Sequence, residues 1–183
     1  YTGARTAKDM VVGPVNGGDQ IPEVKLNNFG FHNNGNLTFT DVTDNWGLKL
    51  PAFSNGAAYV DLDNDGDMDM VINNINDEAF LYRNTARQKD TAANHYLQIS
   101  CKGGAENING LGALVTIYYN GGKVQAFENN PYRGYLSSVQ GIAHFGLGKT
   151  KQIDSVVIRW NNGKKQTIKN VPVDRSMVVN IKD

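Results

Sequence analysis

The chain of 183 residues is organised around one acidic segment, residues 61–69 (DLDNDGDMD). Its five aspartates stand at every second position, and carboxylates at that density repel one another unless a cation lies among them. Oxygen ligands at positions 1, 3, 5 and 9 of a loop, with glycine at position 6 for the sharp turn, suit a hard ion such as Ca²⁺. The segment therefore predicts a Ca²⁺ site formed by the side chains of Asp61, Asp63, Asp65 and Asp69 and by the backbone carbonyl of Asp67.

The flanks of this segment indicate strands. Residues 56–60 (GAAYV) and 70–72 (MVI) are short and lack helical periodicity. An EF-hand needs a helix on each side and a glutamate at position 12, where this chain has Ile72. We therefore expect the loop to join two strands, with Asp69 closing the site. A solvated acidic turn without metal is the alternative, and the regular spacing of five carboxylates argues against it.

The same region resembles a known repeat. Residues 58–74 and 79–84 resemble the FG-GAP (VCBS) repeat of integrin-type β-propellers, and residues 31–43 resemble the end of a preceding repeat, with Asn36 where aspartate or glycine is common. The resemblance implies one propeller blade and part of another, whereas a closed propeller needs about four to eight blades. Because the chain also begins at Tyr1 without an initiator methionine, we expect a C-terminal fragment of a longer protein.

The second half of the sequence predicts seven strands, which suggests a β-sandwich or a small barrel. The segment from 153 to 160 is dense in β-branched residues, as a central strand would be, and two asparagine–glycine turns are typical of hairpins. The predicted strands are 95–102, 112–119, 122–128, 141–146, 153–160, 164–169 and 176–182. The fold class expected for the chain is therefore all-β: partial propeller blades followed by a sandwich or barrel-like domain.

Four segments of this half resemble the ASPIC/UnbV family. They are residues 109–115 (NGLGALV), 133–138 (RGYLSS), 144–148 (HFGLG) and 157–164 (VIRWNNGK). The family usually has Trp-Pro-Asp-Gly where this chain has tryptophan, two asparagines and glycine, so the hairpin chemistry is kept and the proline is lost. The resemblance covers about residues 95–182. It implies a domain that often follows FG-GAP repeats in secreted proteins related to cartilage acidic protein.

Composition suggests where the domains divide. Residues 85–94 are polar and lack aromatic side chains, which favours a linker between a repeat region at 1–84 and a β-domain at 95–183. Within the first domain, Trp46 and Leu48 are expected to pack inward from a short helical turn.

The two halves also differ in charge, although the whole chain is neutral. Residues 1–93 hold 7 Lys+Arg and 13 Asp+Glu, a net charge of −6, whereas residues 94–183 hold 11 and 5, a net charge of +6. Opposite charges on halves joined by so short a linker predict that they pack on each other, with apolar contacts supplying most of the energy because salt screens exposed pairs.

Catalytic chemistry is weakly represented in the sequence. The single cysteine, Cys101, shares one strand face with Leu97 and Ile99 and is expected to be a small buried hydrophobe. The histidines are far apart, no Gly-x-Ser-x-Gly elbow occurs, and calcium would hold the loop aspartates ionised. We expect no catalytic residues and no enzymatic activity. Of the three histidines, His144 deserves inspection first because it lies in a family-like segment.

The function predicted from these features is a Ca²⁺-binding interaction or scaffold module that binds protein or glycan. A possible binding surface is formed by Tyr132, Arg133 and Tyr135, whose alternative role is loop packing. Weak calcium sites favour an extracellular, periplasmic or cell-surface location, and no apolar run is long enough to span a membrane. One alternative is an RNA-binding domain, motivated by the basic second half but disfavoured because no long basic run occurs. A second is an accessory domain of a polysaccharide-degrading enzyme.

Overall fold

The computed structural model describes residues 24–182 and places most of them in strands and turns. The chain divides into two compact units, Tyr1–Ala52 and Phe53–Asp183. The part of the predicted first domain that precedes residue 24 lies outside the described residues.

The described part of the first unit is a small hairpin with a following turn. Strands β1 (Phe31–Asn33) and β2 (Phe39–Asp41) pair antiparallel, and a positive φ of 78° at Gly35 allows the tight connection between them. Leu48 is buried, as predicted. The prediction for Trp46 is wrong, because its side chain is 57% exposed. A single two-stranded hairpin offers only one surface on which a large side chain can pack. The indole of Trp46 lies across Gly30, and a Cβ atom added to Gly30 would stand 3.2 Å from the indole ring.

The second unit begins with the strands that carry the acidic loop. Strands β3 (Ser54–Val60), β4 (Asp69–Asn74) and β5 (Phe80–Tyr82) form an antiparallel sheet in that order. Val60 pairs directly with Asp69, so the residues between them close a hairpin. The predicted strand–loop–strand arrangement is therefore confirmed.

The remaining strands of this unit form two further sheets. They are β6 (His95–Lys102), β7 (Leu114–Tyr119), β8 (Lys123–Glu128), β9 (Ile142–Gly148), β10 (Gln152–Arg159), β11 (Lys165–Pro172) and β12 (Arg175–Asn180). One sheet has the order β11-β10-β7-β8, and the other has the order β12-β6-β9 with β12 parallel to β6. All seven strands predicted for this half are present, which confirms the all-β class. None of the sheets in residues 24–182 closes into a barrel.

Both of these sheets contribute to one hydrophobic core. Alternate residues point inward along most of the length of these strands, as period-two patterning requires. The core includes Leu97 and Ile99 of β6, Ile117 of β7 and Phe145 of β9, all at most 2% exposed. Burial of each such side chain contributes about 1.5–3 kcal/mol to the free energy of unfolding, relative to an exposed position.

Residues 85–94 lie inside the second compact unit. They include a short helix, α1 (Ala86–Lys89), from which Arg87 Nη1 reaches Asp174 Oδ1 at 2.6 Å. Residues 53–84 thus share one compact unit with the later strands, so the predicted packing of the halves is confirmed for this part of the chain. The division into domains at 1–84 and 95–183 stays a prediction.

Cys101 generates a prediction about thiol reactivity. It is 4% exposed within the core, and burial raises the pKa of its thiol to about 11. The thiolate fraction at pH 8 is then about a hundredfold below that of a thiol with the ordinary pKa of 9.0. We expect a chromogenic disulfide reagent to label the native protein very slowly and the denatured protein at the normal rate. Rapid labelling of the native protein, absent from a Cys101→Ala control, would contradict this burial.

Candidate metal centre

The acidic loop folds back on itself through two residues with left-handed backbone conformation. Asn64 has a φ of 59° and Gly66 has a φ of 91°. Asparagine adopts such angles more readily than most residues, and glycine does so without strain. The reversal brings the first part of the loop against its own backbone amides.

Three of the four side chains that were predicted to bind the ion meet in one group. An oxygen from each of Asp61, Asp63 and Asp65 lies within 4.8 Å of the others. The backbone amide of Asp65 donates to Asp61 Oδ1 at 3.1 Å, and that of Gly66 donates to Asp61 Oδ2 at 3.0 Å. These bonds hold the oxygens in place and partly offset their mutual repulsion.

Asp65 carries the oxygen atom that bears most directly on which ligand the group could hold. Its Oδ1 accepts a hydrogen bond from the amide of Asp67 at 2.9 Å, whereas its Oδ2 is buried and has no hydrogen-bond partner among the described residues. Buried polar atoms are normally satisfied, and an ionised oxygen is the costliest to leave unpaired. An all-oxygen donor set with such an atom fits a hard divalent cation.

One protein cation lies beside this group. The guanidinium of Arg83, just beyond β5, forms an ion pair with Asp63 and lies 3.8 Å from Asp65 Oδ2, too far for a hydrogen bond. One positive charge against three carboxylates leaves a net charge of −2, so Arg83 compensates the group only in part.

Asp67 and Asp69 lie outside that group, and their carboxylates accept backbone hydrogen bonds. Asp69 accepts from Leu62 N at 3.1 Å and from Asn84 N at 2.8 Å, while Asp67 accepts from Arg87 N at 2.7 Å. Both aspartates are nearly inaccessible to solvent. The sequence predicted only a carbonyl role for Asp67, and the structure adds an anchoring role for its side chain.

Strand β6 provides a wall for the loop. Gln98 Nε2 donates to Asp61 Oδ2 at 2.9 Å, and Ser176 Oγ of β12 donates to Gln98 Oε1 at 2.5 Å. The ring of Tyr96 lies against Gly66, where an added Cβ would stand 2.2 Å from the ring. Sequence reasoning missed both β6 residues, although their alternation with buried Leu97 and Ile99 placed them on the opposite face of the strand.

Aromatic and titratable groups continue this wall. The rings of Tyr96 and His144 stack with centroids 6.0 Å apart, and the guanidinium of Arg87 lies 4.7 Å from the Tyr96 centroid. Burial lowers the pKa of His144, opposed by the carboxylates of Asp61 and Asp67. Burial therefore favours the neutral form of the His144 ring, against the pull of the neighbouring carboxylates.

A second polar cluster holds α1 and the start of β6 in place. Asp174 Oδ2 lies 2.6 Å from Nδ1 of His95, and Asp174 Oδ1 accepts from Arg87. Burial acts to raise the pKa of Asp174, but the hydrogen bonds from His95 and Arg87 outweigh it and lower that pKa. Because Asp67 binds the amide of Arg87, the acidic loop and this cluster are linked through one residue.

The predicted binding surface lies on the loop between β8 and β9. Tyr132 and Tyr135 are 77% and 76% exposed, whereas Arg133 is half-buried. Arg133 Nε donates to the hydroxyl of Tyr59 at 2.9 Å, and its guanidinium lies 5.6 Å from the ring centroid of Phe127. The two tyrosines are therefore available to a partner, while Arg133 fixes the loop to β3.

The contact between Gly66 and Tyr96 predicts a large effect of one methyl group. We expect Gly66→Ala to lower the free energy of unfolding by roughly 3 kcal/mol, combining backbone strain with overpacking against the ring. Gly163→Ala is the matched control, because Gly163 has a φ of 84° and nothing within 4 Å of an added Cβ. Its cost should be only about 1 kcal/mol. Equal costs in chemical denaturation would show that Tyr96 does not pack on the loop as described.

Comparison with known proteins finds a family match in the second half of the chain. Among curated proteins, none matches this chain. Among the described residues, no helix has the length and apolar character that crossing a membrane requires. The resemblance of residues 31–43, 58–74 and 79–84 to FG-GAP repeats stays a prediction. Residues 103–183 match the family model described as ASPIC and UnbV, and all four segments singled out in the sequence fall within them. The similarity to the ASPIC and UnbV family therefore covers residues 103–183.

Proposed function

We propose that this chain is a Ca²⁺-binding, non-enzymatic interaction module of an extracellular-type protein. The observation that carries the proposal is the group formed by Asp61, Asp63 and Asp65, with the buried and unpaired Oδ2 of Asp65. The ASPIC/UnbV domain supports the extracellular setting, where weak calcium sites can be filled.

In this proposal the ion is held by the side chains of Asp61, Asp63 and Asp65, and Asp69 and the Asp67 carbonyl complete the ligand set. Bound Ca²⁺ would neutralise carboxylates that otherwise repel one another. Mg²⁺ is disfavoured because it demands a smaller octahedron and retains its waters.

The contacts of the loop define what calcium would stabilise. Asp61 accepts from Gln98 on β6, and Asp67 accepts from Arg87 on α1. A loop ordered by the ion would therefore keep both neighbours in position. Strands β3 to β5 are proposed to be a propeller blade, and the two later sheets a β-sandwich.

The partner surface is proposed to be the loop that carries Tyr132 and Tyr135. Leu136 beside them is 73% exposed and has a φ of 48°, an unfavourable backbone conformation for leucine. Strain combined with exposed apolar side chains is frequent at binding sites, and tyrosine and arginine are enriched at interfaces. A hydrogen bond of 3.0 Å from Ala57 N to Ser137 Oγ holds this loop to β3 in advance of binding. The partner is a protein or a glycan.

The calcium proposal predicts a stability gain that depends on Asp65. Ca²⁺ at one hundred times its Kd should raise the free energy of unfolding by about 2.7 kcal/mol, since it binds only the folded loop. Asp65→Asn should remove most of this gain, because it deletes the unpaired charged oxygen and can keep the acceptor for Asp67 N. Scanning calorimetry in Ca²⁺ and in chelator measures the difference.

Asp67→Ala is the matched control for that experiment. It removes the acceptor for Arg87 N but keeps the carbonyl of residue 67. Stability should fall in both buffers by about 1–2 kcal/mol, with the calcium-dependent gain largely retained. Identical melting temperatures of the parent protein in millimolar Ca²⁺ and in chelator would sink the proposal.

A further inference from the structure

The outward face of the sheet β11-β10-β7-β8 carries three basic side chains, and they lie on the neighbouring strands β10 and β11. Arg159 of β10 lies directly opposite Lys165 of β11, and Lys169 lies opposite Ser155. All three basic residues are exposed, while the intervening Ile158 and Val156 are buried in the core. The three cations therefore share one side of the sheet, which is called the basic face below.

Nothing within the described residues neutralises the basic face. Arg159, Lys165 and Lys169 form no ion pair in residues 24–182. The four strands contain two acidic residues. Glu128 of β8 lies across the sheet from Arg159, with Leu114 of β7 between them, and Asp154 lies where the pairing of β10 with β11 is interrupted. Like charges directly opposite one another destabilise a sheet, so the Arg159–Lys165 pair is a local cost that an anion would relieve.

Hydroxyl and apolar side chains share the rest of this side of the sheet, where Val157 and Leu114 stand between the polar residues. Thr167, Ser155 and Thr116 contribute hydroxyl groups, and Tyr118 is 41% exposed. Hydroxyl side chains can donate to and accept from sugar hydroxyls, and an exposed aromatic ring offers an apolar surface to a pyranose. Cations and sugar-binding groups therefore occur side by side.

We infer that the basic face binds a linear sulfated polysaccharide. Adjacent strands place Arg159 and Lys165 about 5 Å apart, and four residues along β11 separate Lys165 from Lys169 by about 13 Å. Charges spread at this spacing along one strand suit a linear polyanion better than a single compact anion. The guanidinium of Arg159 can bind two oxygens of one sulfate, as it does with phosphate and carboxylate.

A nucleic acid is the other polyanion to consider, and the face suits it less well. Proteins that bind single strands stack successive bases on several aromatic rings, and this face has Tyr118 alone. Reading a duplex requires a helix or ribbon that enters a groove, which an open sheet face does not provide. The chemistry of the face therefore favours a polysaccharide.

The test measures binding of the whole chain to a heparin-type oligosaccharide by calorimetry over a range of salt concentrations. The triple variant Arg159→Gln, Lys165→Gln and Lys169→Gln should bind about tenfold more weakly or worse, with a shallower dependence on salt. A triple control, Lys89→Gln, Lys102→Gln and Lys149→Gln, makes the same charge change at exposed sites elsewhere. It should stay within about twofold of the parent protein. Melting temperatures no lower than that of the parent protein would show that both variants are folded.

Four outcomes would overturn the inference. The parent protein does not bind, or the control triple loses as much affinity as the basic-face triple. Alternatively, Tyr132→Ser with Tyr135→Ser abolishes binding, which would move the site to the β8–β9 loop. Finally, single-stranded RNA of equal charge binds more tightly through the same three residues. Binding should be equal in Ca²⁺ and in chelator, so a loop that takes no calcium would leave this result intact.

Discussion

The repulsion among the loop carboxylates is the constraint on which this part of the structure depends. Asp61, Asp63 and Asp65 lie within one group, so each additional compensating contact matters. Backbone amides of the loop compensate the charge from within. The guanidinium of Arg83, the side-chain amide of Gln98 and the backbone amide of Arg87 tie the loop to three other segments. Charge compensation thereby organises β5, β6 and α1 around the hairpin as well as the hairpin itself.

Strand β6 serves both the core and the loop because its two faces differ. Leu97 and Ile99 contribute to the hydrophobic cluster, and Tyr96 and Gln98 face the acidic loop. A polar residue as deeply buried as Gln98 is tolerable because both ends of its amide are hydrogen-bonded. The shared strand is one reason why residues 53–84 lie in the same compact unit as the later sheets.

Local patterns predicted most of the fold and part of the site. The seven strands of the second half and the strand–loop–strand hairpin follow from alternation and turn residues, which are properties of neighbouring positions. The contacts of Asp61 with Gln98 and of Arg87 with Asp174 join residues distant in sequence, where no spacing rule operates. The prediction that Trp46 is buried failed for a related reason, since its burial depends on whether other elements cover a two-stranded hairpin.

The parallel pairing of β12 with β6 has a consequence for the order of folding during synthesis. Ser176 pairs in register with Gln98, although nearly eighty residues separate them, and Asp174 reaches back to His95. Translation proceeds at about 5–20 residues per second, so β6 waits several seconds for its parallel neighbour. The side of β6 that faces the acidic loop is therefore completed late. A ribosome-bound chain that ends before residue 174 would present the loop with an unfinished wall.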